Sequence, residues 1–444
     1  MPLSGPAKLF PPFALGLLAL SPLGSLADDY EEAPIRYSTV EPRDRISELS
    51  KQIEAGTFEF DRSGGEKTFL RSVLKTLDVP EASQVLVFSK TSKQNDHISP
   101  QRPRAIYFSD EFYIGWVQGG DIEVISTDPE LGPVFYLLKI PRNSEQKSLF
   151  IRDNDCLRCH AGLTRHRLPG LLVRSVYADD RGFPILSAGT HFTEHDSLLK
   201  ERWGGWYVTG SHGEMRHMGN SIAVEHEDGS ATLDTETGAN LQKLTGLIEN
   251  EPYLRDDSDI VALMVLEHQV TAHNAIIAAS YVARQAIHRN KMLAQFLEHA
   301  PDEFTETTQS VLDHKADDLL RALLFCGEFQ LEGYGVEGSE AFQEAFRANA
   351  RESSEGKSLK DLQLLSHLFK YRCSYMIYST TFTNLPKPFK DIVLKKLIHI
   401  LEAESPPEDF QHLGKRERER IHLILSETLE GFPAVGRSDR ELEG

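Results

Sequence analysis

Val85-Leu86-Val87-Phe88, Ala105-Ile106-Tyr107-Phe108, Phe112-Tyr113-Ile114-Gly115-Trp116-Val117, Ile122 to Ile125 and Val134 to Leu138 are the runs that decide the fold. Each is short and rich in β-branched or aromatic side chains, and turn pairs such as Ser-Pro, Gly-Gly, Asp-Pro and Gly-Pro stand between them. That pattern predicts an antiparallel meander. Upstream, 45–55 and 67–77 carry helical spacing and stop before Pro80. Downstream, 171–177, the turn Asp179-Asp180-Arg181-Gly182 and 184–188 predict a strand, a turn and a second strand. After about residue 235 the period becomes helical. Asp257-Ser258-Asp259 starts a helix running to 296, and further helices are expected at 307–325, 339–348, 359–378, 388–402 and 407–429. The expected class is α+β, with a strand-rich middle domain followed by an all-α C-terminal domain. The boundaries read as a signal peptide 1–27, an N-terminal helical leader 28–83, an α+β domain 84–235, a helical domain 236–432 and a charged tail 433–444.

Within the middle domain, in a loop between strands, stands Cys156-Leu157-Arg158-Cys159-His160. C-x-x-C-H is the attachment spacing of a c-type haem. Each thiol adds to one vinyl group, and the adjacent imidazole is held under the iron. With 4 cysteines and 17 histidines in 444 residues, chance supplies such a match about once in a thousand chains. The motif resembles that of c-type cytochromes. The resemblance covers Cys156 to His160 and the export signal, and implies one covalent haem c with His160 as proximal iron ligand. It implies nothing about the fold, because small c-type cytochromes are all-helical and strands flank the motif here. The whole chain is also similar to exported bacterial proteins with a single haem motif. It resembles, more weakly, haem-carrying PAS/Cache-type sensor domains.

The first residues suit export. Lys8 precedes an apolar stretch, Leu9 to Leu20, that is too short to span a bilayer comfortably, and Ser25-Leu26-Ala27 offers a small-residue cleavage site. The expected location is periplasmic or otherwise exported, with no membrane span after cleavage. Cleavage removes one lysine and no acid, moving the formal charge from −19 to −20. That balance excludes nucleic acid as a partner and suits a redox partner protein or a small-molecule ligand. Two cysteines remain, Cys326 and Cys373, each in an apolar helical stretch, either paired or free.

The sixth iron position decides the chemistry, because a strong Met or His ligand gives an electron carrier and an open one permits ligand binding or peroxide reduction. Candidate distal ligands are His212, His217 and Met218, in a Trp-, Gly- and Met-rich segment from Arg202 to Asn220, and His268 in the long helix. Arg202 and Arg216 are candidate propionate partners. On the helix, Glu267, Thr271 and Asn274 fall on one side, and Gln269 with His273 forms an i, i+4 pair. Polar groups so placed need partners: a distal ligand, a proton relay, a group orienting His160, or a satisfied network between helices. His191 and His195 read as solvated surface histidines, Arg165-His166-Arg167 as an exposed loop, and 415–420 (KRERER) as a solvated helix face. Three functions follow: electron transfer or redox response; a haem-dependent oxidoreductase using His268, Glu267 or Arg216 at an open iron; or a haem-based ligand-sensing module.

Overall fold

The computed structural model describes residues 29–141, 148–297, 300 and 303–433. The expected signal peptide, 1–27, and all but the first residue of the expected tail, 433–444, lie outside them. Two helices, α1 (Arg45–Glu54) and α2 (Gly65–Thr76), come first. The meander follows as β1 (Val85–Val87), β2 (Arg104–Phe108), β3 (Phe112–Trp116), β4 (Ile122–Asp128), β5 (Gly132–Leu138) and β6 (Phe150–Arg152). After a helical turn, α3 (Leu157–His160), come β7 (Arg174–Val176), β8 (Thr190–Phe192) and β9 (Trp206–Tyr207), then a small hairpin of β10 (Val224–Glu225) and β11 (Ala231–Thr232). The helices α4 (Ile260–Leu297), α5 (Glu306–Leu323), α6 (Glu340–Arg347), α7 (Thr380–Thr383), α8 (Lys387–Glu402) and α9 (Lys415–Thr428) complete the chain. The class is α+β, with a strand-rich sheet in the middle and a helical C-terminal region.

The main sheet has seven antiparallel strands in the order β6-β5-β4-β3-β2-β1-β9. Its register sets one row across five strands: Val85 opposite Ile106, Ile106 opposite Gly115, Gly115 opposite Glu123, and Glu123 opposite Leu137. A second row on the same face runs Tyr113, Ile125, Phe135. Because side chains alternate faces along a strand, their neighbours Leu86, Tyr107, Ile114, Trp116 and Val124 point the other way. Those neighbours share a core with Ile46, Leu49, Phe69 and Val73 of α1 and α2. On the first face, Val85, Val87 and Tyr113 share a core with α4 and the helices beyond it. One core therefore crosses the expected boundary at 235.

Helix α4 is long and apolar enough to cross a membrane, yet 83% of its most apolar window is buried in the protein. Three expectations are corrected. The strand opposite β7 is β8, not 184–188, where Pro184 makes only an isolated bridge to Ala178. No α-helix forms over 359–378, where the one helical segment is a 3-10 turn at Tyr375–Tyr378. Before it, Gln363 Oε1 accepts the N–H groups of Leu365, Ser366 and His367, and Leu364 takes φ +62°, so the local turn outcompetes a helix. The last helix begins at Lys415, after Gly414. Its charged run is not wholly solvated: Arg418 is buried and donates to the carbonyls of Ile400, Leu401 and Ala403, closing the C-terminus of α8.

Candidate functional site

Strand β6 is followed by Asp153, whose carboxylate accepts the Asp155 N–H and starts the tight turn that leads into α3. The turn places Cys156 half-buried, Cys159 exposed and His160 half-buried, and all three line one cavity of about 380 Å³. That volume lies within the ordinary range for small-molecule sites. The cavity floor is the sheet face set by the register: Ile106, Tyr113, Gly115, Glu123, Ile125, Phe135 and Leu137. Its roof is the strap 171–174 together with Leu266 and Val270 of α4, and Trp206 of β9 closes one side.

The His160 ring lies 4.6 Å from the Phe135 ring. Its Nδ1 is 2.9 Å from the Gly170 carbonyl. A carbonyl only accepts, so Nδ1 carries the proton and Nε2 keeps its lone pair. Burial lowers the His160 pKa, which favours the neutral imidazole a metal needs. Burial, then the charges of Asp153 and Glu123, push the Cys156 thiol up to about 12. A redox dithiol or a thiolate metal centre needs the opposite shift. All four cysteines are free; Cys326 donates to the Asp409 carbonyl and Cys373 is buried, so the two do not pair.

Cations ring the cavity. Arg104 pairs with Glu123, Lys93 with Asp153 at 2.7 Å, and Lys139 with Asp121 at 2.7 Å. The Arg104 guanidinium lies across Gly115, where any Cβ would collide with it. Arg174 donates to Thr190 Oγ1. Nε of Arg104 and Nε of Arg174 are both buried without a hydrogen-bond partner. Two orphaned cationic donors, an imidazole with a free Nε2, two unpaired thiols and apolar walls form a donor set that fits a covalently attached haem with two carboxylate arms.

None of the candidate distal ligands lines this cavity. His212 and His217 stack edge-on at 4.7 Å, and His217 packs against Trp203. His217 Nδ1 accepts the Gly219 N–H, and His212 Nε2 accepts that of Asn240. The Met218 sulfur takes the Ser175 hydroxyl at 3.5 Å. His268 stacks on Phe325 at 4.0 Å, with Nε2 on Ser374 and Nδ1 on His195. The expected propionate partners are engaged elsewhere: Arg202 is buried in an ion pair with Glu267 at 2.7 Å, and Arg216 holds the exposed Glu236. Burial pushes Glu267 up to about 7 against the pull of Arg202. His195 is not a solvated histidine. It is buried, with its pKa lowered to about 4 chiefly by desolvation, whereas His191 is half-buried and bonded to Ser197.

Sequence reasoning missed Arg104, Arg174 and Glu123. Arg104 and Glu123 carried a usable signal: each sits at an inward strand position where an apolar residue is expected. Among the described residues, no group of three or more His, Cys, Asp or Glu side chains is arranged to hold a metal ion. No protein-family model, no curated protein and no solved structure matches the chain.

Proposed function

We propose that the chain is an exported single-haem c-type protein whose iron is left open on one side for a small ligand or a small-molecule oxidant. The carrying observation is that Cys156, Cys159 and His160, whose Nδ1 is held by the Gly170 carbonyl, line one apolar-walled cavity. In this reading Cys156 and Cys159 hold the haem, His160 Nε2 is the proximal ligand, and Arg104 and Arg174 receive the carboxylate arms. Haem bound there supplies one-electron chemistry and a site for small ligands. The chain's own residues do the rest. Gly170 keeps His160 in the metal-binding tautomer. Phe135, Ile125 and Val270 exclude water, and the buried guanidinium Nε groups neutralise charge brought in with the cofactor.

The open side is supported by the lining, in which, among the described residues, there is no methionine and no histidine besides His160. Electron exchange with a redox partner protein is the second reading, favoured by the exposure of Cys159, which leaves that edge of the cavity at the surface. Expression in the periplasm with haem-attachment machinery tests both. The expected result is one haem that stays bound on denaturation and a reduced spectrum that changes with carbon monoxide. A six-coordinate spectrum unaffected by carbon monoxide rejects the open site, and no covalent haem rejects the whole assignment.

A further inference from the structure

We propose that Asn274 is a positioning residue for His160, acting through the single peptide unit between Gly170 and Leu171; this rests on the haem assignment above. The carbonyl end of that unit accepts the His160 Nδ1–H at 2.9 Å. Its amide end, the Leu171 N–H, donates to Asn274 Oδ1 at 2.8 Å. Asn274 Nδ2 donates in turn to the Leu171 carbonyl at 2.9 Å. An N–H needs an acceptor and a carbonyl needs a donor, so these two partners fix the carboxamide's orientation. The peptide is planar, so holding its amide end also aims its carbonyl. Hydrogen bonds at both ends polarise the unit, strengthening the acceptor that His160 meets.

The pinned peptide lies where two cavities meet. The strap 171–173 has the motif cavity on one side and a second cavity, of about 640 Å³, on the other. The second is walled by α4, including Thr271 and Asn274, and by α5. Leu171 and Val173 are buried in the core, and the Asn274 hydrogen bonds add the orientation of the peptide between Gly170 and Leu171. Thr164 fixes Leu168, and the Thr193 N–H fixes the Val173 carbonyl, on either side of the critical peptide. Gly170 also has to stay small, since a Cβ there would come within 2.8 Å of Asn274 Oδ1.

A stronger acceptor at Gly170 makes His160 more basic toward the metal and favours the oxidised form. The test measures the midpoint potential of the exported, haem-loaded full chain in three variants. Asn274→Ala removes the pin, and the potential is expected to rise. Asn274→Asp keeps and charges the acceptor of the Leu171 N–H while losing the donor to the Leu171 carbonyl, and the potential is expected to fall. Thr271→Val changes the same cavity wall without touching the strap and leaves the potential as in the parent. Shifts of opposite sign support the proposal, because simple loosening would move both Asn274 variants the same way. Unchanged or same-sign shifts overturn it while the haem assignment stands. If Asn274→Ala fails to fold, Asn274→Asp against Thr271→Asp decides: a larger fall in Asn274→Asp supports the proposal, and an equal fall, which charge alone would give, overturns it. Absence of covalent haem in the parent protein, read in the same spectra, overturns the assignment and the proposal together.

Discussion

The motif cavity and the polar spine of α4 both place charged and imidazole groups on the same side of one sheet, and they treat those groups in opposite ways. Along α4, most polar side chains have a protein partner, Glu267 with Arg202, His268 with Ser374 and His195, and Gln269 with Ser109, Tyr113 and Tyr375, while Glu267 Oε1 and His273 Nε2 have none. Around the cavity, the same kinds of group are left with valence to spare: the free Nε2 of His160, two unpaired thiols, and Nε of Arg104 and of Arg174. A buried polar group without a partner costs stability, and at the cavity the proposed haem would supply the missing partners. The spine holds the fold and the cavity waits for chemistry. Four measurements break or sharpen that division.

The largest effect is expected at the buried ion pair. Glu267→Ala leaves the Arg202 charge enclosed with only the carbonyls of His195 and Ser197, and should cost about 3–5 kcal/mol in denaturant unfolding. The double replacement Arg202→Met, Glu267→Leu should cost less than the single one, because it removes both desolvated charges. A double variant as unstable as Glu267→Ala would show that the pair contributes more than mutual neutralisation. Next comes Ser374→Ala, which strips His268 Nε2 of its partner in a fully buried site and should cost about 1–3 kcal/mol. A thermal melt of the unloaded protein reads it, and an unchanged melt would remove that serine from the spine.

The sequence made the division only partly legible. The β-branched and aromatic runs in 85–138, separated by turn pairs, predict the meander, and the register then brings Ile106, Gly115, Glu123 and Phe135 to one face. Cys156, Cys159 and His160 are legible because their spacing is itself the chemistry. The partners of α4 are not: the side chains that meet Glu267 and Gln269 lie 65 and 156 residues away. No local pattern encodes such a pairing. His212, His217 and Met218 attracted attention by composition, but their contacts turn inward to Trp203, Asn240 and Ser175.

Acid should destabilise the fold through its buried imidazoles. Desolvation lowers His195 and His273 to about 4 and His217 to about 3. In the unfolded chain these groups protonate near 6.5. Between about pH 6.5 and 4 the unfolded state therefore binds more protons, and stability present above 6.5 is lost as the pH falls. Each such site contributes about 1.4 kcal/mol per pH unit within that window. Glu267 has the opposite sign: its folded pKa is raised to about 7, so its contribution is present at low pH and is lost as the pH rises through 7. His273→Gln should lower the acid slope by one site's worth, read as unfolding midpoints from pH 7 to pH 4. A slope unchanged by this variant would mean that His273 already takes a proton in the folded protein.

The smallest effect should come from the motif itself. Cys159 is exposed, and its side chain makes no hydrogen bond among the contacts described. In the unloaded protein, Cys159→Ala should change stability by no more than about 0.5 kcal/mol, as for an ordinary surface substitution. In the loaded protein the same change leaves only one thiol to attach the cofactor, so the fraction of haem surviving denaturation should fall. A residue almost silent in folding and decisive in attachment is what a site kept for outside chemistry requires. A large loss of stability in the unloaded Cys159→Ala variant would place the motif among the fold's own supports and erase the distinction between the cavity and the spine.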